Sequence, residues 1–451
     1  MSRVTHRRAL AAGTLLTIAA MCTRSAGADQ MPLLGEPVVL NDNGAWSWFE
    51  DERAVVDAEH GMLLVSSVAD ASGSGGRGRS GDIEVAAASI EETLAASRRE
   101  RVALHERLED DDHNSAALHV RADGRYVAMY SRHGSDNLTR WRVSRRAGDP
   151  TDWGPERTHD NGARTTYSNL YPMPAESRLY AFVRSVGHDP NFLISDDDGM
   201  TWRSGGRLVS GPGAPYVRYV ANGRDRIHLV ATEQHPRKFA NGIFHATVER
   251  GQLLRSDGSI ADDDIFDLEA PAPADLTPVF NSGLGHAWPL DIQLDGSGHP
   301  RVVFFVRKGA ETSPTDRAFY FARFDGSTWH VHPLAQAGNP FAAAESDYTG
   351  LVALDPSRAD RVFVSTNVHP TTGRPLVSST DGERHFELFL GTTDDEGLTW
   401  GWTALTANSA EDNLRPIVPH SDTSDAVLLW LRGTYTGYRD YDLAVVGARI
   451  S

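Results

Sequence analysis

Apolar and polar residues alternate along most of the chain in runs of five to eight residues, which end at clusters of Gly, Asp, Asn and Pro. Such runs are typical of β-strands joined by tight turns, and a helical spacing of apolar residues is almost absent. The exception is the Ala-, Glu- and Arg-rich segment 90–107, where we expect a short helical turn. The pattern therefore predicts an all-β protein.

A pair of strands around an Asp- or Gly-rich turn recurs seven times. The turns centre near residues 59, 123, 176, 224, 297, 358 and 423, so the repeat is about 61 residues long. A repeat of this length accommodates four antiparallel strands with their loops, and sheets repeated around an axis form a β-propeller. We therefore expect a seven-bladed β-propeller of four-stranded antiparallel blades.

Two segments match a turn motif of propeller blades. Residues 195–202 (SDDDGMTW) follow the Asp-box pattern S-x-D-x-G-x-T-W, and residues 393–400 (TDDEGLTW) nearly follow it. Asp-boxes form turns between outer strands, where Asp and Gly hold the turn and Trp packs beneath it. They support the propeller prediction and carry no chemistry.

The first 28 residues have the composition of an export signal. Arg7 and Arg8 precede a short apolar run, and small residues at 25–28 (SAGA) offer a cleavage site. The arginine pair is compatible with twin-arginine export. We expect a secreted or periplasmic protein, with no membrane anchor, whose single propeller domain spans residues 29–451. The only cysteine, Cys22, lies in the signal, so no disulfide is expected.

The charge of the remaining chain restricts its partners. After the signal, 40 basic residues stand against 61 acidic ones, a net charge of −21. A protein this acidic does not follow a phosphate backbone, so we exclude nucleic acid as a partner. An anionic ligand would need a local cluster of Arg and His. We expect the propeller to be a monomer.

Residues equally distant from a hairpin turn face each other across the two strands. At least five of the seven hairpins carry polar residues at the same end under this condition. The facing pairs are His113 with His133, Tyr167 with Arg184, His286 with Arg307, and Tyr348 with Asn367, and the seventh hairpin brings Asn413 and Arg415 near Trp430 and Arg432. Around a propeller axis these ends converge on one funnel. Further candidate substrate-binding residues near this end are Asn114, Arg218, Tyr219, His235, Asn241 and Arg415.

A set of His, Tyr and Arg side chains suits β-elimination from a uronic acid. That reaction removes the proton on C5, next to the carboxylate, and expels the substituent on O4. Cations must neutralise the carboxylate as charge develops, and His and Tyr can serve as base and acid. Arg184 is a permanent cation that can clamp a carboxylate. The sequence has no Gly-rich phosphate loop and no zinc spacing of Cys and His.

Six short motifs resemble those of the BNR-4-type propeller proteins: DHNS at 112–115, YSRHG at 130–134, TYSN at 166–169, HPR at 235–237, DYTG at 347–350 and DNLRPIVP at 412–419. The resemblance extends from about residue 46 to residue 446. It is closest to the seven-bladed polysaccharide lyases that cut rhamnosyl-glucuronate linkages, as ulvan lyases do. It therefore implies a secreted lyase that acts on an anionic uronic-acid polysaccharide.

The resemblance also implies roles for individual residues. His113 and His133 would share proton transfer and carboxylate neutralisation, Tyr167 would act as base and acid, and Arg184 would neutralise the uronate. Tyr219 and His235 would contact the substrate, and Tyr171 competes with Tyr167 for the catalytic position. No cofactor is expected for catalysis. Some family members carry a structural metal ion, calcium or zinc, whose ligands the sequence does not locate.

Two other functions stay open at this point. A glycoside hydrolase of the sialidase or rhamnosidase kind can use the same fold, although the sequence has no evident pair of carboxylates for it. A propeller that binds carbohydrate without turnover is the other alternative. The predicted His113–His133 pair argues against simple binding, because a binding site gains little from two titratable groups side by side.

Overall fold

The computed structural model describes Met1 and residues 34–51, 53–90, 100–281, 283, 285–308, 316–341, 347–421 and 426–450. Apart from Met1, the predicted export signal lies outside the described residues. Among the residues that are described, no helix is long and apolar enough to cross a membrane.

The described chain consists of short strands joined by turns. In chain order the strands are β1 (Val38–Asn41), β2 (Ala54–Asp57), β3 (Met62–Val68), β4 (Ile83–Ser89), β5 (Glu100–His105), β6 (Ala117–Val120), β7 (Tyr126–Ser131), β8 (Leu138–Val143), β9 (Arg157–Asp160), β10 (Thr166–Met173), β11 (Arg178–Arg184), β12 (Pro190–Ser195), β13 (Arg203–Arg207), β14 (Val217–Ala221), β15 (Ile227–Ala231), β16 (Ile243–Glu249), β17 (Gln252–Leu254), β18 (Ile260–Asp262), β19 (Thr277–Phe280), β20 (His286–Leu294), β21 (Pro300–Arg307), β22 (Arg317–Phe324), β23 (Trp329–Gln336), β24 (Val352–Leu354), β25 (Arg361–Thr366), β26 (Glu387–Thr392), β27 (Gly401–Ala404), β28 (Asp412–Ile417), β29 (Ala426–Gly437) and β30 (Asp440–Ile450). Single-turn 3₁₀ helices occur at Gly76–Gly78, Asp112–Asn114, Pro174–Glu176, Val186–His188 and Pro273–Asp275.

These strands form a seven-bladed β-propeller, as predicted. Blades 1 to 3 are β2-β3-β4-β5, β6-β7-β8-β9 and β10-β11-β12-β13, and blades 5 and 6 are β20-β21-β22-β23 and β24-β25-β26-β27. Blade 4 is built on β14-β15-β16-β17, and β18 and β19 add to it. Six of the predicted turns each join the two innermost strands of one blade. The seventh, near residue 423, lies outside the described residues. Each repeat of the sequence pattern therefore corresponds to one blade of the propeller.

The ring closes between the two ends of the chain. Blade 7 has the order β28-β29-β30-β1, so the N-terminal strand β1 supplies the outermost strand of the last blade. Val38 pairs with Gly447, and Leu40 is buried with 6% exposure in the largest apolar cluster. This pairing ties the first strand of the chain to the last within one blade.

The segment 90–107, where we expected a short helical turn, is described only at Ile90 and from residue 100 onward. In that second part Glu100–His105 forms β5, the outer strand of blade 1. Exposure alternates along it, with Leu104 buried and Arg101 exposed, because only one face packs on the neighbouring apolar cluster. Residues 91–99 lie outside the described part of the chain.

An aromatic segment between β1 and β2 fills the propeller axis on one side. Trp48 stacks on Tyr348 with centroids 5.4 Å apart, and its indole N–H donates to the Thr349 carbonyl at 2.6 Å. Phe49 stacks on Trp288 with centroids 4.1 Å apart. A cavity of about 540 Å³ lined by the inner strands lies toward the hairpin-turn side. The aromatic segment therefore forms a floor under the strand ends where the polar funnel was predicted.

The Asp-boxes lie where the motif predicts. The first occupies the turn between β12 and β13, the outer strands of blade 3. There the Ser195 hydroxyl accepts from the Gly199 backbone N–H at 2.7 Å, and Asp197 accepts from the Thr201 backbone N–H at 2.8 Å. The second lies between β26 and β27 of blade 6. Both turns are structural elements remote from the funnel.

Candidate active site

Two histidines stack at the entrance of blade 2. His113 lies in the 3₁₀ turn Asp112–Asn114 that precedes β6, and His133 follows β7. Because β6 and β7 are antiparallel neighbours, both histidines lie at the same end of the hairpin. Their ring centroids are 3.8 Å apart and the planes differ by 9°. The predicted facing pair is therefore a close stacked pair.

One buried carboxylate holds both rings. Asp111 precedes the 3₁₀ turn and accepts a hydrogen bond from the backbone N–H of His113 at 3.1 Å. Its Oδ1 lies 2.6 Å from Nδ1 of His113, and its Oδ2 lies 3.0 Å from Nδ1 of His133. Arg439 also donates from Nε to Asp111 Oδ2 at 3.0 Å. Asp111 has no exposed surface, so it fixes the orientation of the pair from behind.

The same environment gives the two histidines different charges. Burial disfavours the imidazolium of His113, but Asp111 and Asp112 outweigh it and raise the pKa of His113 well above its ordinary value. Burial and the neighbouring charge of His113 lower the pKa of His133. The pair thus contains one imidazolium and one neutral imidazole. With Nδ1–H of His133 directed at Asp111, its Nε2 is the free acceptor.

Tyr167 reaches this pair through a distortion of β10. The ladder between β10 and β11 shifts after Thr166, which pairs with Arg184, and Tyr167 has φ +65°. A left-handed conformation costs energy for a residue with a Cβ, and such strain is concentrated at functional sites. The Tyr167 ring lies 5.8 Å from that of His113. The predicted Tyr167–Arg184 facing pair is therefore displaced by one residue, because the sequence does not reveal the bulge.

Arg184 lies between two tyrosines. Its guanidinium carbon is 4.9 Å from the ring centroid of Tyr167 and 4.2 Å from that of Tyr216, and Nη2 donates to the Pro215 carbonyl at 2.9 Å. Burial raises the pKa of Tyr167 well above its ordinary value. Burial acts on Tyr216 in the same direction, but the charge of Arg184 and the hydrogen bonds with Tyr167 and Arg184 together lower the pKa of Tyr216. Tyr167 is therefore the more firmly protonated phenol.

Sequence reasoning did not assign Tyr216 to the site. It lies eight residues before the blade 4 turn centre, almost the spacing of Tyr167 before the blade 3 turn centre, so blade symmetry could have identified it. His235 lies beside it, with ring centroids 5.2 Å apart. Burial, with the charges of Arg184 and Arg237, lowers the pKa of His235 to about 4. His235 is thus a neutral hydrogen-bonding group next to Tyr216.

The hairpin of blade 7 covers the histidines. Its strands β29 and β30 are 12 and 11 residues long, and their turn carries Tyr438 and Arg439. The Tyr438 ring stands edge-on to both imidazoles, at 5.3 Å from His113 and 5.7 Å from His133. No sequence signal assigned these two residues, because the contact depends on how far one hairpin projects beyond its blade.

The sequence profile that describes BNR repeat-containing family members matches residues 81–337. The chain belongs to the BNR repeat-containing family. No curated protein matches its sequence at a significant level.

Three polysaccharide lyases are among the solved structures similar to this BNR-family propeller. An ulvan lyase solved with -[GlcA(1-4)Rha3S]- bound has a TM-score of 0.62 at 13% identity, covering 91% of this chain and 95% of that one. The structure of this kind of ulvan lyase without the sugar gives 0.61 at 13% identity, with the same coverage. Polysaccharide lyase Uly1 gives 0.57 at 11% identity, covering 93% and 99%. At these identities the likeness establishes the fold.

Three predicted substrate-binding residues of the BNR-family propeller lie in the layer beneath the funnel. Arg218 is 2% exposed and pairs with Asp51 at 3.2 Å. Tyr219 is 4% exposed and stacks on Phe182 with centroids 4.2 Å apart. Arg415 is 2% exposed and donates to the backbone carbonyl of Glu50. Their contacts are with the protein core rather than with the open end of the funnel.

Three more of the predicted substrate-binding residues, Asn114, Asn241 and His286, hold backbone near the site. Asn114 donates from Nδ2 to the Glu109 carbonyl at 3.1 Å. Asn241 donates from Nδ2 to the Phe239 carbonyl at 2.7 Å, and His286 Nδ1 lies 2.5 Å from the Pro236 carbonyl. His286 also pairs with Arg307, as the hairpin rule predicted. These side chains shape the loops on which the reactive groups are mounted.

The competing tyrosine, Tyr171, lies away from the histidines. Its hydroxyl donates to the backbone carbonyl of Tyr219 at 3.0 Å, and its side chain lines the cavity toward the hairpin-turn side. Of the two tyrosines of β10 that the sequence left open, Tyr167 is the one beside His113 and Arg184.

Asp111, His113 and His133 are close enough to hold a metal ion, since one ligand atom of each lies within 4.8 Å of the others. Their hydrogen bonds do not fit that use. Both Nδ1 atoms are directed at Asp111, and the cationic Arg439 donates to the same carboxylate. A metal ion would have to displace these donors, so we assign none to this cluster.

Proposed function

We propose that this protein is a secreted polysaccharide lyase that cleaves rhamnosyl-(1,4)-glucuronate linkages by β-elimination, in the manner of an ulvan lyase. The observation that carries the proposal is the junction of four groups: a buried imidazolium, a neutral imidazole, a protonated phenol and a guanidinium. They are His113, His133, Tyr167 and Arg184. This set supplies what elimination from a uronate requires, without a redox cofactor.

Neutralisation of the substrate carboxylate falls to the two cations. The C5 proton of a uronate becomes removable only when the charge of the enolate-like intermediate is stabilised. Arg184 is half-buried and offers a planar fork to a carboxylate. His113 is 4% exposed, so its positive charge acts from behind His133 rather than by direct contact. Both charges are in place before the substrate binds, and no reorganisation is needed.

The proton transfers are divided between His133 and Tyr167. His133 has 27% of its side chain exposed and a lowered pKa, so its neutral Nε2 takes the C5 proton. The C5–H electron pair forms the C4–C5 double bond, and the C4–O4 bond breaks. Tyr167 remains protonated because burial raises its pKa, and it donates its proton to the departing O4. The proton then passes through solvent from His133 to Tyr167, which restores the starting protonation state of both residues.

The comparisons and the charge distribution support this substrate class. A similarly folded ulvan lyase was solved with a glucuronate- and sulfated-rhamnose-containing sugar. The predicted export signal is consistent with a polymer substrate outside the cytoplasm. An anionic polymer would be drawn to the local cluster of Arg and His within an otherwise acidic molecule.

The test is an ultraviolet assay on ulvan and related uronic-acid polysaccharides. Elimination conjugates a new double bond with the carboxylate, so the products absorb. We expect Tyr167→Phe to reduce the rate by about 100-fold or more. Tyr171→Phe is the matched control: it removes the same atom from the same strand and should retain most activity. Circular dichroism should be unchanged for both.

Two results would overturn the proposal. Saturated reducing ends without ultraviolet absorbance would identify a glycoside hydrolase on this fold. Binding of the polysaccharide without any turnover, unaffected by Tyr167→Phe, would identify a binding propeller.

A further inference from the structure

The charges around the site are distributed unevenly. On the side of blades 1, 2 and 7, Glu109, Asp111 and Asp112 stand behind the histidine pair. On the side of blades 3 to 5 the cations Arg184, Arg237 and Lys238 act on His235 together with one carboxylate, Asp347, so positive charges are in excess there. An anionic polymer bound across the funnel would therefore extend toward blades 4 and 5.

A tight loop after β15 projects on this cationic side. The backbone N–H groups of Lys238 and Phe239 both donate to the His235 carbonyl, at 3.1 Å and 3.3 Å. His286 and Asn241 bind two further carbonyls of the loop, those of Pro236 and Phe239. These bonds restrict the loop before any ligand arrives, which lowers the entropic cost of binding.

The loop exposes one aromatic ring and two cations. Phe239 is 43% exposed, whereas most aromatic rings near the funnel are buried. Lys238 is exposed, and 28% of the Arg237 side chain is exposed. Arg237 is held 5.6 Å from the Tyr348 ring centroid, and its Nε donates to Asp347 at 3.3 Å. The loop begins at His235, whose ring touches Tyr216, so these groups adjoin the reactive centre.

We infer that residues 235–239 form a second sugar subsite, which stacks a sugar ring on Phe239 and binds its anionic substituent through Lys238 and Arg237. This inference rests on the proposed function, since it extends the same polysaccharide away from the cleaved bond. The apolar face of a sugar packs on an exposed aromatic ring, and clustered cations select a sulfate ester or a carboxylate. Phe239 and Lys238 take no part in the proposed elimination, so the catalytic steps do not account for their exposure.

The experiment measures binding rather than turnover. Calorimetric titration of the Tyr167→Phe protein with ulvan oligosaccharides gives a Kd without cleavage of the ligand. In this background we expect Phe239→Ala to raise the Kd by about 10-fold and Lys238→Gln to raise it about 5-fold. Arg224→Gln is the control, because it removes one exposed positive charge on the hairpin-turn side. Its Kd should equal that of the parent.

A desulfated oligosaccharide identifies the anion. If Lys238→Gln weakens only the sulfated ligand, the subsite binds a sulfate ester. If it weakens both ligands, the subsite binds a second carboxylate. Binding that neither Phe239→Ala nor Lys238→Gln alters would overturn the subsite while leaving the proposed function intact. A parent protein that binds no uronic-acid oligosaccharide would overturn the proposed function, and the subsite with it.

Discussion

His113 and His133 stack with centroids 3.8 Å apart, and Nδ1 of each is directed at the same carboxylate, Asp111. Two imidazolium rings at this distance would repel each other strongly. The structure avoids this because His113 is buried against two carboxylates, which raise its pKa, whereas burial and the charge of His113 lower the pKa of His133. The stacked pair therefore carries one charge.

Asp111→Asn should disturb this division of charge. Without the carboxylate, the pKa of His113 falls, so the imidazolium is lost at a lower pH. Since the charged form of His113 is needed, the alkaline limb of the kcat/KM profile should move to lower pH. The rate at neutral pH should fall by about 100-fold. The measurement is the pH dependence of kcat/KM on the polysaccharide.

The control for this variant is Asp257→Asn. Asp257 is exposed in the turn between β17 and β18 and hydrogen-bonds only Ser259 among the described residues. The Asp257→Asn substitution makes the same chemical change far from the histidines, and the pH profile of this variant should match that of the unaltered protein. An unshifted alkaline limb in Asp111→Asn would contradict the assignment of the charge to His113.

Arg184→Lys tests whether charge alone is sufficient. Lys retains the positive charge but loses the planar fork that lies against Tyr167 and Tyr216. We expect kcat/KM to fall about 10- to 100-fold, with a change in thermal stability smaller than that of a core truncation. Arg203→Lys, at an exposed Asp-box pair, should have no effect on kcat/KM. Full activity of Arg184→Lys would show that geometry at this position does not matter.

The fold could be predicted because its signals are local. Each inner hairpin carries its own turn residues and apolar alternation, and seven copies at a constant spacing define the ring. The His113–His133 pair could be predicted for the same reason, since both residues belong to one hairpin with a regular register.

The rest of the site depends on contacts between distant segments. The bulge that turns Tyr167 out of register is a backbone distortion without a sequence signature. Tyr438 reaches the histidines from blade 7. Trp48, from the segment before blade 1, packs against Tyr435 of β29. Asp111 stands in a run of four acidic residues, 109–112, a pattern typical of a solvated loop, yet it is completely buried. In each case tertiary packing, rather than local pattern, sets the role of the residue.

Closure of the ring predicts a specific weak point. Leu40 is buried where β1 completes blade 7, against the backbone of Gly447. Leu40→Ala should lower the free energy of unfolding by about 2–4 kcal/mol, because it removes apolar contacts and leaves a cavity. Val377→Ala, at a position 60% exposed, should change it by less than about 0.5 kcal/mol. If urea denaturation gave the same change in the free energy of unfolding for Leu40→Ala and Val377→Ala, a stabilising role for β1 would be contradicted.

The last prediction concerns Glu50, which lies under the site and whose backbone carbonyl accepts from Arg415. Its carboxylate accepts from the Ser115 hydroxyl at 2.8 Å and lies 3.8 Å from Arg53. Burial raises the pKa of Glu50 from 4.5 to about 7, despite the opposing charges of Arg53 and His113. Since the folded protein holds this proton more tightly than the unfolded chain, the contribution of Glu50 to stability is present below pH 4.5 and is lost as the pH rises to about 7.

Glu50→Gln keeps the shape of the side chain and cannot ionise. As the pH rises from 5 to 8, the free energy of unfolding of the variant should therefore increase relative to that of the unaltered protein, by up to roughly 3 kcal/mol. Urea denaturation at the two pH values measures this difference. Glu59 lies in the exposed turn between β2 and β3. The free energy of unfolding of Glu59→Gln should differ from that of the unaltered protein by the same amount at both pH values. If Glu50→Gln also shows a constant offset, then Glu50 is ionised throughout this range. The positive charges of Arg53 and His113 would in that case outweigh its burial.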